Sequence, residues 1–428
     1  PPGDDPPGRL YEYAPLCEGD GMNGETRGSV RIAVIGLDGC PLSEEARRLV
    51  SEASLVAGGE RHLAEVGIEG DRALVLRGDL SEAVDRISGA PGPVAVLASG
   101  DPGFFGITRL LSERFGPEEL AVHPARSSVS LAFARAGLSW EDALVVSAHG
   151  REPRRAVNVC RRHPKVAVLT APDFGPSELA EALDRLDREF FVCERLGAPD
   201  ERVFRGKPEE ISAGEWRDPN VVVVVEPGYV PGEKSWVSGG IGSPGRWALA
   251  EDEFEHRSDM ISKSEVRAFV LSRLGPGVGD LVWDVGAGSG SVAVECSRLG
   301  AAAIAVDRDR EACGFVRKSV ARHGAPVEVV EGEAPDALED LPDPDAVFIG
   351  GTGGGFEETI RLCAGRSLRA VVLTLVTVER VVPAAKLLEE VGLEVETTLL
   401  QASRMKGVGE LSRLVPENPV FVVAGRRA

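Results

Sequence analysis

The chain is predicted to be α/β throughout and to fold as two unlike halves. Three observations carry this: strand-sized apolar runs alternate with helix-length segments from Ser29 onward, a run in each half ends in a glycine turn, and one aperiodic stretch separates two series of runs. A length of 428 residues suits two or three domains at roughly 150 residues each. The expected division is a flexible tail over 1–28, a first domain over 29–227, a linker over 228–243 and a second domain over 244–428.

The tail, "PPGDDPPGRLYEYAPLCEGDGMNGETRG", lacks the basic start and apolar run of a signal peptide, and Met22 is a candidate start within it. Strands are predicted at "VRIAVIGLDGC", "RALVLRG", "GPVAVLASGD", "LAVHP", "ALVVSAHG", "KVAVLTAP", "REFFVCERLG" and "NVVVVVEPG", mostly separated by helical stretches. "PGYVPGEKSWVSGGIGSP" is a Gly, Pro and Ser cluster without periodicity and reads as the linker. A second series follows: "DLVWDVGAG", "AAAIAVD", "PVEVVEG", "DAVFIGG", "AVVLTLVT", "LEVETTLLQ" and "PVFVVAGR". The last two are joined by a longer loop rich in Arg, Lys and Gly. Right-handed crossovers make this series a seven-stranded, mostly parallel doubly wound sheet, with its ligand at the carboxyl ends of the strands.

Composition narrows the partners. A net charge of −20 argues against a sequence-independent nucleic-acid binder and against an anionic membrane surface, since both draw on clustered Lys and Arg. No stretch approaches the roughly 18 apolar residues of a spanning helix. Seven scattered cysteines with no C-x-x-C pair suit a reducing cytoplasm better than a disulfide scaffold. The histidines form no metal-ligand spacing, so no metal is expected.

In "WDVGAGSGSVAVE" the glycines are Gly286, Gly288 and Gly290, with Ala287 and Ser289 between them. A dinucleotide fingerprint G-x-G-x-x-G would put its third glycine where Ser291 stands, which weakens a pyrophosphate reading. Asp284 points the same way: a carboxylate beside the turn repels phosphate and suits a ligand carrying an amine and a sulfonium. The next strand ends in Asp307, from where an acid can accept hydrogen bonds from both ribose hydroxyls. A ligand-free tight turn and an NAD site stand beside this reading.

D-x-G-x-G-x-G followed by an acid at the next strand end resembles the Rossmann-like class I methyltransferases, which use S-adenosylmethionine. "MISKSEVRAFVLSRL", "VEGEAPDAL" and "DAVFIGGTGGG" narrow the resemblance to the decarboxylating C15-methyltransferases of cobalamin biosynthesis. That resemblance implies cofactor contacts at Ser262, Gly286 to Gly290, Asp307 and Ala334, with Glu333 where many class I enzymes carry an Asp near the adenine. Lys263, Glu265 and Arg267 are read as facing the macrocycle from the helix before the turn, or else as plain helix-surface charge.

In the first half, "VIGLDGC", "LASGDPGFFG", "ARSSVSLAFARAGLSWED" and "SAHGR" occur in order and resemble the tetrapyrrole methylase family, a two-subdomain α/β fold. The resemblance implies a second S-adenosylmethionine site bordered by Gly36, Asp38, Gly39, Gly100, Asp101, Phe104, Ser127 and Ser128. Asp38 replaces the usual second glycine of the first loop. His149 and Arg151 open a basic island with Arg154, Arg155, Arg161, Arg162 and Lys165, which reads either as carboxylate docking groups or as a solvated helix face.

The order of the two halves resembles the family of decarboxylating precorrin-6Y C5,C15-methyltransferases, and relatives of each half associate, which implies a homo-oligomer. In that reading the first half methylates carbon 5, and the second methylates carbon 15 and removes carboxyl from the ring-C acetate, giving precorrin-8X. No activated nucleophile is evident, and no catalytic side chain is assigned. Methylation of RNA or protein, a non-catalytic sensor of the cofactor, and NAD-dependent redox chemistry are the rival functions.

Overall fold

The computed structural model describes residues 31–78, 80–230, 238–239, 245–257, 261–351, 354–409 and 411–427; the expected tail and most of the expected linker lie outside them. The chain divides into two compact units, 31–37 with 42–125, and 38–41 with the residues from 126 onward. The division falls inside the first half of the sequence, so the second sheet shares a unit with everything C-terminal to it.

The first unit is built on one parallel sheet. Its strands β1 (Ile32–Leu37), β2 (Leu55–Gly58), β3 (Ala73–Val75), β4 (Val94–Ser99) and β5 (Leu120–His123) lie in the order β3-β2-β4-β1-β5. The near-continuous apolar runs "IAVIGL" and "VAVLAS" follow from burial of both sheet faces, with Ile32, Val34, Val94 and Val96 on one side and Ala33, Ile35, Ala95 and Leu97 on the other. β1 ends where three backbones converge: a Cβ on Gly36 would stand 2.0 Å from the Gly100 carbonyl oxygen and 2.7 Å from the Ala125 nitrogen.

The second unit contains two sheets. The first holds β6 (Leu144–Ser147), β7 (Lys165–Leu169), β8 (Glu189–Glu194), β9 (Arg202–Gly206) and β10 (Asn220–Val225) in the order β6-β7-β10-β8-β9. Only β6 and β7 pair in parallel; β10 and β9 run antiparallel to their neighbours. The other sheet holds β11 (Leu281–Val285), β12 (Ala302–Asp307), β13 (Glu328–Glu331), β14 (Ala346–Ile349), β15 (Ala370–Leu375), β16 (Glu394–Leu400) and, after a two-stranded hairpin of β17 (Ser403–Val408) and β18 (Leu411–Pro416), β19 (Val420–Arg426). Its order is β13-β12-β11-β14-β15-β19-β16, parallel except for β19, which opposes β15 and β16. Strand order reverses between β11 and β14, and the crevice beyond their carboxyl ends is where such sheets take ligands.

The expected seven-stranded, mostly parallel sheet is present, and three details depart from the sequence reading. β2 and β9 escape it, because "LVAG" is only four residues and "RVFRG" is an exposed edge with no apolar run. The stretch read as an Arg, Lys and Gly loop is the β17–β18 hairpin, whose side chains are mostly exposed and so carry little hydrophobic signal.

The convergence at Gly36 leaves no space for a side chain. Gly36→Ala should destabilise the first unit by roughly 1–3 kcal/mol, as overpacking against backbone does; chemical denaturation of the variant measures it.

Candidate functional site

At the switch point of the seven-stranded sheet, the turn after β11 runs over a cavity of about 1000 Å³. Gly286, Gly288 and Gly290 all take positive φ. Gly286 must be bare: a Cβ there would lie 2.5 Å from the Gly351 carbonyl oxygen, on the loop leaving β14. Gly286, Ala287, Gly288 and Ser289 line the cavity, and Gly290 instead packs behind it, where a Cβ would meet Val316.

Asp307, the last residue of β12, also lines the cavity. Its Oδ2 accepts from the Gly288 N–H at 2.9 Å and its Oδ1 from the Asp309 N–H at 2.9 Å. Each oxygen keeps a further lone pair, so the carboxylate is oriented before any ligand arrives. Ser262, Glu333 and Ala334 complete the expected group on the wall, with Glu333 ion-paired to Arg308 at 2.8 Å.

Asp284 corrects the sequence reading. It lies beneath the turn, 1% exposed and off the cavity wall, where Oδ2 accepts from the Ala293 N–H at 2.9 Å in the first turn of the helix Ser291–Arg298. Burial pushes its carboxyl up to about 7, with the Asp307 charge adding to the rise and the Ala293 bond opposing it. It ties the start of that helix to β11 and does not face the cavity.

The helix Ser264–Leu274 corrects another reading. Lys263 is the non-helical N-cap, and Glu265 and Arg267, two apart within the helix, point to different sides, so the three separate. Lys263, at the N-cap, lines the cavity. Glu265 turns to Arg404 on β17. Arg267 is fully buried: it donates to the Ser262 carbonyl at 2.8 Å and to the Leu249 carbonyl, and pairs with buried Glu295 at 3.4 Å. It is a strut behind the cavity wall.

The hairpin supplies what sequence reasoning missed. Arg404 pairs with Glu251 at 2.9 Å and holds that carboxyl down to about 2 against the opposing effect of burial. Arg404, Lys406 and Asn418 reach the cavity rim beside Lys263. Their signal lay in the stretch read as a loop.

The residues expected to border a second site are distributed over both units. In the first, Gly100 and Asp101 follow β4, and Asp101 Oδ1 closes its own turn by accepting from Gly103 N–H at 2.9 Å. Phe104 packs edge-to-face on Phe105. Beside them, at the carboxyl ends of β2 and β4, Ser99 Oγ is 2.9 Å from His62 Nε2 and 3.0 Å from Arg61 Nη2, a cluster hidden from sequence reasoning because β2 was missed. Burial, with the Arg61 charge adding to it, lowers the His62 imidazole to about 4. In the second unit, Asp38 is engaged by Arg126, whose Nε donates at 2.7 Å, and Gly39 packs on Gly197 with no room for a side chain. Ser127 caps the helix Ser128–Ala136 through a bond from Ser130 N–H, and His149 and Arg151 stand exposed just beyond β6.

In the rest of the basic island Arg155 is exposed, as a solvated face would have it, and the other members are neither dock nor solvated face. Lys165 is buried on Asp142 at 2.6 Å. Arg154, Arg161 and Arg162, on the helix Pro153–Arg162, reach Asp345, Glu328 and the Ser297 carbonyl around the seven-stranded sheet.

Comparison with known proteins gives this geometry a family. Residues 35–212 match the Tetrapyrrole (Corrin/Porphyrin) Methylases, and residues 252–426 match the Precorrin methyltransferase domain. A Sinorhizobium protein named precorrin-6Y C(5,15)-methyltransferase (decarboxylating) is 37% identical over 349 residues, covering 78% of this chain and 81% of its own. The chain belongs to this family. A Mycobacterium tuberculosis protein of the same name is 34% identical over 328 residues, covering 74% of this chain and 79% of its own. A Pyrobaculum calidifontis protein named as a probable cobalt-precorrin-6B C(15)-methyltransferase (decarboxylating) is 32% identical over 180 residues, covering 40% of this chain and 92% of its own. As a member of the C(5,15)-methyltransferase family, the chain is an S-adenosylmethionine-dependent C-methyltransferase.

Two outcomes follow from the buried charges. Arg267→Ala leaves Glu295 buried with less compensation and should cost about 3–5 kcal/mol in stability, read by denaturation, with the folded fraction keeping its substrate KM. For Asp284, the folded value of about 7 stands above the ordinary 3.8. The unfolded chain therefore releases this proton first, and stability falls as pH rises through that window. Asp284→Asn cannot ionise and should flatten that slope, measured by denaturation across the same range.

Proposed function

We propose that the chain methylates precorrin-6Y at carbon 5 through its first half and at carbon 15 through its second, with decarboxylation of the ring-C acetate, giving precorrin-8X. The observation that carries the reading is the cavity beyond β11, β12 and β14, where a bare-backbone turn and a pre-oriented Asp307 share a wall and basic side chains form the rim.

The residues present fit an adenosyl cofactor. Asp307, with both oxygens held by N–H groups and lone pairs to spare, suits a ribose diol, and Gly286 to Ser289 allow close approach. When bound, S-adenosylmethionine supplies an electrophilic methyl group and a neutral thioether leaving group. The chain supplies alignment, and alignment alone can remove a large share of such a barrier. Lys263, Arg404 and Lys406 at the rim are placed to grip the carboxylates of a tetrapyrrole, Arg404 being itself anchored by Glu251. An electron-rich meso carbon needs no activated Ser or Cys. The tetrapyrrole methylase match over residues 35–212 supports a second donor site in the first half, with His149 and Arg151 as substrate contacts.

We also read the chain as a homo-oligomer, supported by Met405, Leu411 and Leu414, which are 64, 77 and 64% exposed on the hairpin.

Mass analysis of product from precorrin-6Y tests the division of labour. The intact chain should add two methyl groups and remove one carboxyl. Asp307→Ala should lose the carbon-15 methyl and the decarboxylation, and Asp101→Ala should lose the carbon-5 methyl. Retention of both methyl additions in either variant would refute the assignment.

A further inference from the structure

The helix Pro153–Arg162 has two opposed faces. Ala156, Val157, Val159 and Cys160 pack into the core of its own sheet. Arg154, Asn158, Arg161 and Arg162 fall at helical spacing on the other side, where Asn158 is buried and the three arginines are partly buried. A buried amide between arginines is costly unless something across from it accepts its hydrogen bonds.

Apart from Glu152, which takes Arg154 Nε at 2.8 Å, and the Ala182 carbonyl, which takes Arg161 at 2.7 Å, their partners are on the C-terminal half. Arg154 donates to both oxygens of Asp345 at 2.6 and 2.9 Å, and Asp345 in turn accepts from the Leu281 N–H at 2.8 Å. Asn158 Nδ2 donates to the Gly279 carbonyl at 3.1 Å, and Arg162 Nε to the Ser297 carbonyl at 2.6 Å. Arg161 stands 3.6 Å from Glu328, and Arg185, following another helix of the same sheet, reaches the Asp340 carbonyl at 3.1 Å. Gly279, Glu328 and Asp345 sit at or just before the amino ends of β11, β13 and β14. The cofactor cavity opens at the carboxyl ends of these parallel strands, so the contact leaves its mouth untouched.

We propose that this polar stripe is a docking surface that holds the two catalytic halves together independently of the covalent linker. The partner it fits is the amino-end edge of a doubly wound sheet offering one buried carboxylate and several main-chain carbonyls. The pattern Arg-x-x-x-Asn-x-x-Arg-Arg is its sequence signature. The halves therefore behave as a non-covalent complex that happens to be encoded as one chain. The inference goes beyond the catalytic reading and does not depend on which tetrapyrrole is methylated.

The test uses the full chain with a protease site inserted between Ser238 and Gly239, folded first and then cut. The cut halves should co-elute on size exclusion at low micromolar concentration. Arg154→Ala with Arg162→Ala should weaken their association roughly 30-fold or more, as loss of buried charge pairs does at interfaces, while S-adenosylhomocysteine binding by the C-terminal half persists. Separation of the cut wild-type halves would overturn the proposal, as would undiminished association of the double variant. If the double variant does not fold, Asn158→Ala decides: leaving the Gly279 carbonyl without its donor should weaken association of the cut halves several-fold, and undiminished association would contradict the stripe.

Discussion

Everything at the C-terminal site rests on one close approach, Gly286 against Gly351. The turn leaving β11 and the loop leaving β14 meet at the point where the sheet reverses its strand order, with only backbone between them. Were Gly286 larger, the two loops would part and the wall holding Gly288 would move away from Asp307. Because the turn closes tightly, the Gly288 N–H reaches the Asp307 carboxylate and orients it. The geometry of a ligand site is thus set by what the chain leaves out at one position.

The two acids near that turn divide their work by burial. Asp307 stands on the cavity wall with both oxygens oriented by N–H groups, whereas Asp284 lies beneath the turn with one N–H bond and a carboxyl that prefers its proton well above the ordinary range. Identical side chains separated by one strand therefore do different things: one presents acceptors to a ligand, the other ties a helix start to β11. A site that recognises a cation needs the first and is merely supported by the second.

Much of this was legible in the sequence. The strand runs, the glycine turn and Asp307 at a strand end pointed to the seven-stranded sheet and to the end at which its cavity opens, because period and turn chemistry are local properties. What was hidden depended on orientation. Arg267 looked like a substrate residue from its neighbours, yet it lies on the buried side of its helix and points inward to Glu295. Arg404 and Lys406 sat in a stretch whose exposed strands lack an apolar alternation strong enough to distinguish them from a loop. The basic island carried its own clue in Asn158, an amide that a solvated face does not need and that a buried contact does.

We propose that the chain cradles a sulfonium cofactor in two places, one of them organised by Asp307. Calorimetric titration with S-adenosylhomocysteine, the demethylated by-product, tests it most directly. Two equivalents should bind to the intact chain, and one should remain after Asp307→Ala. No uptake by well-folded protein, or an unchanged stoichiometry and affinity in the variant, would contradict the account.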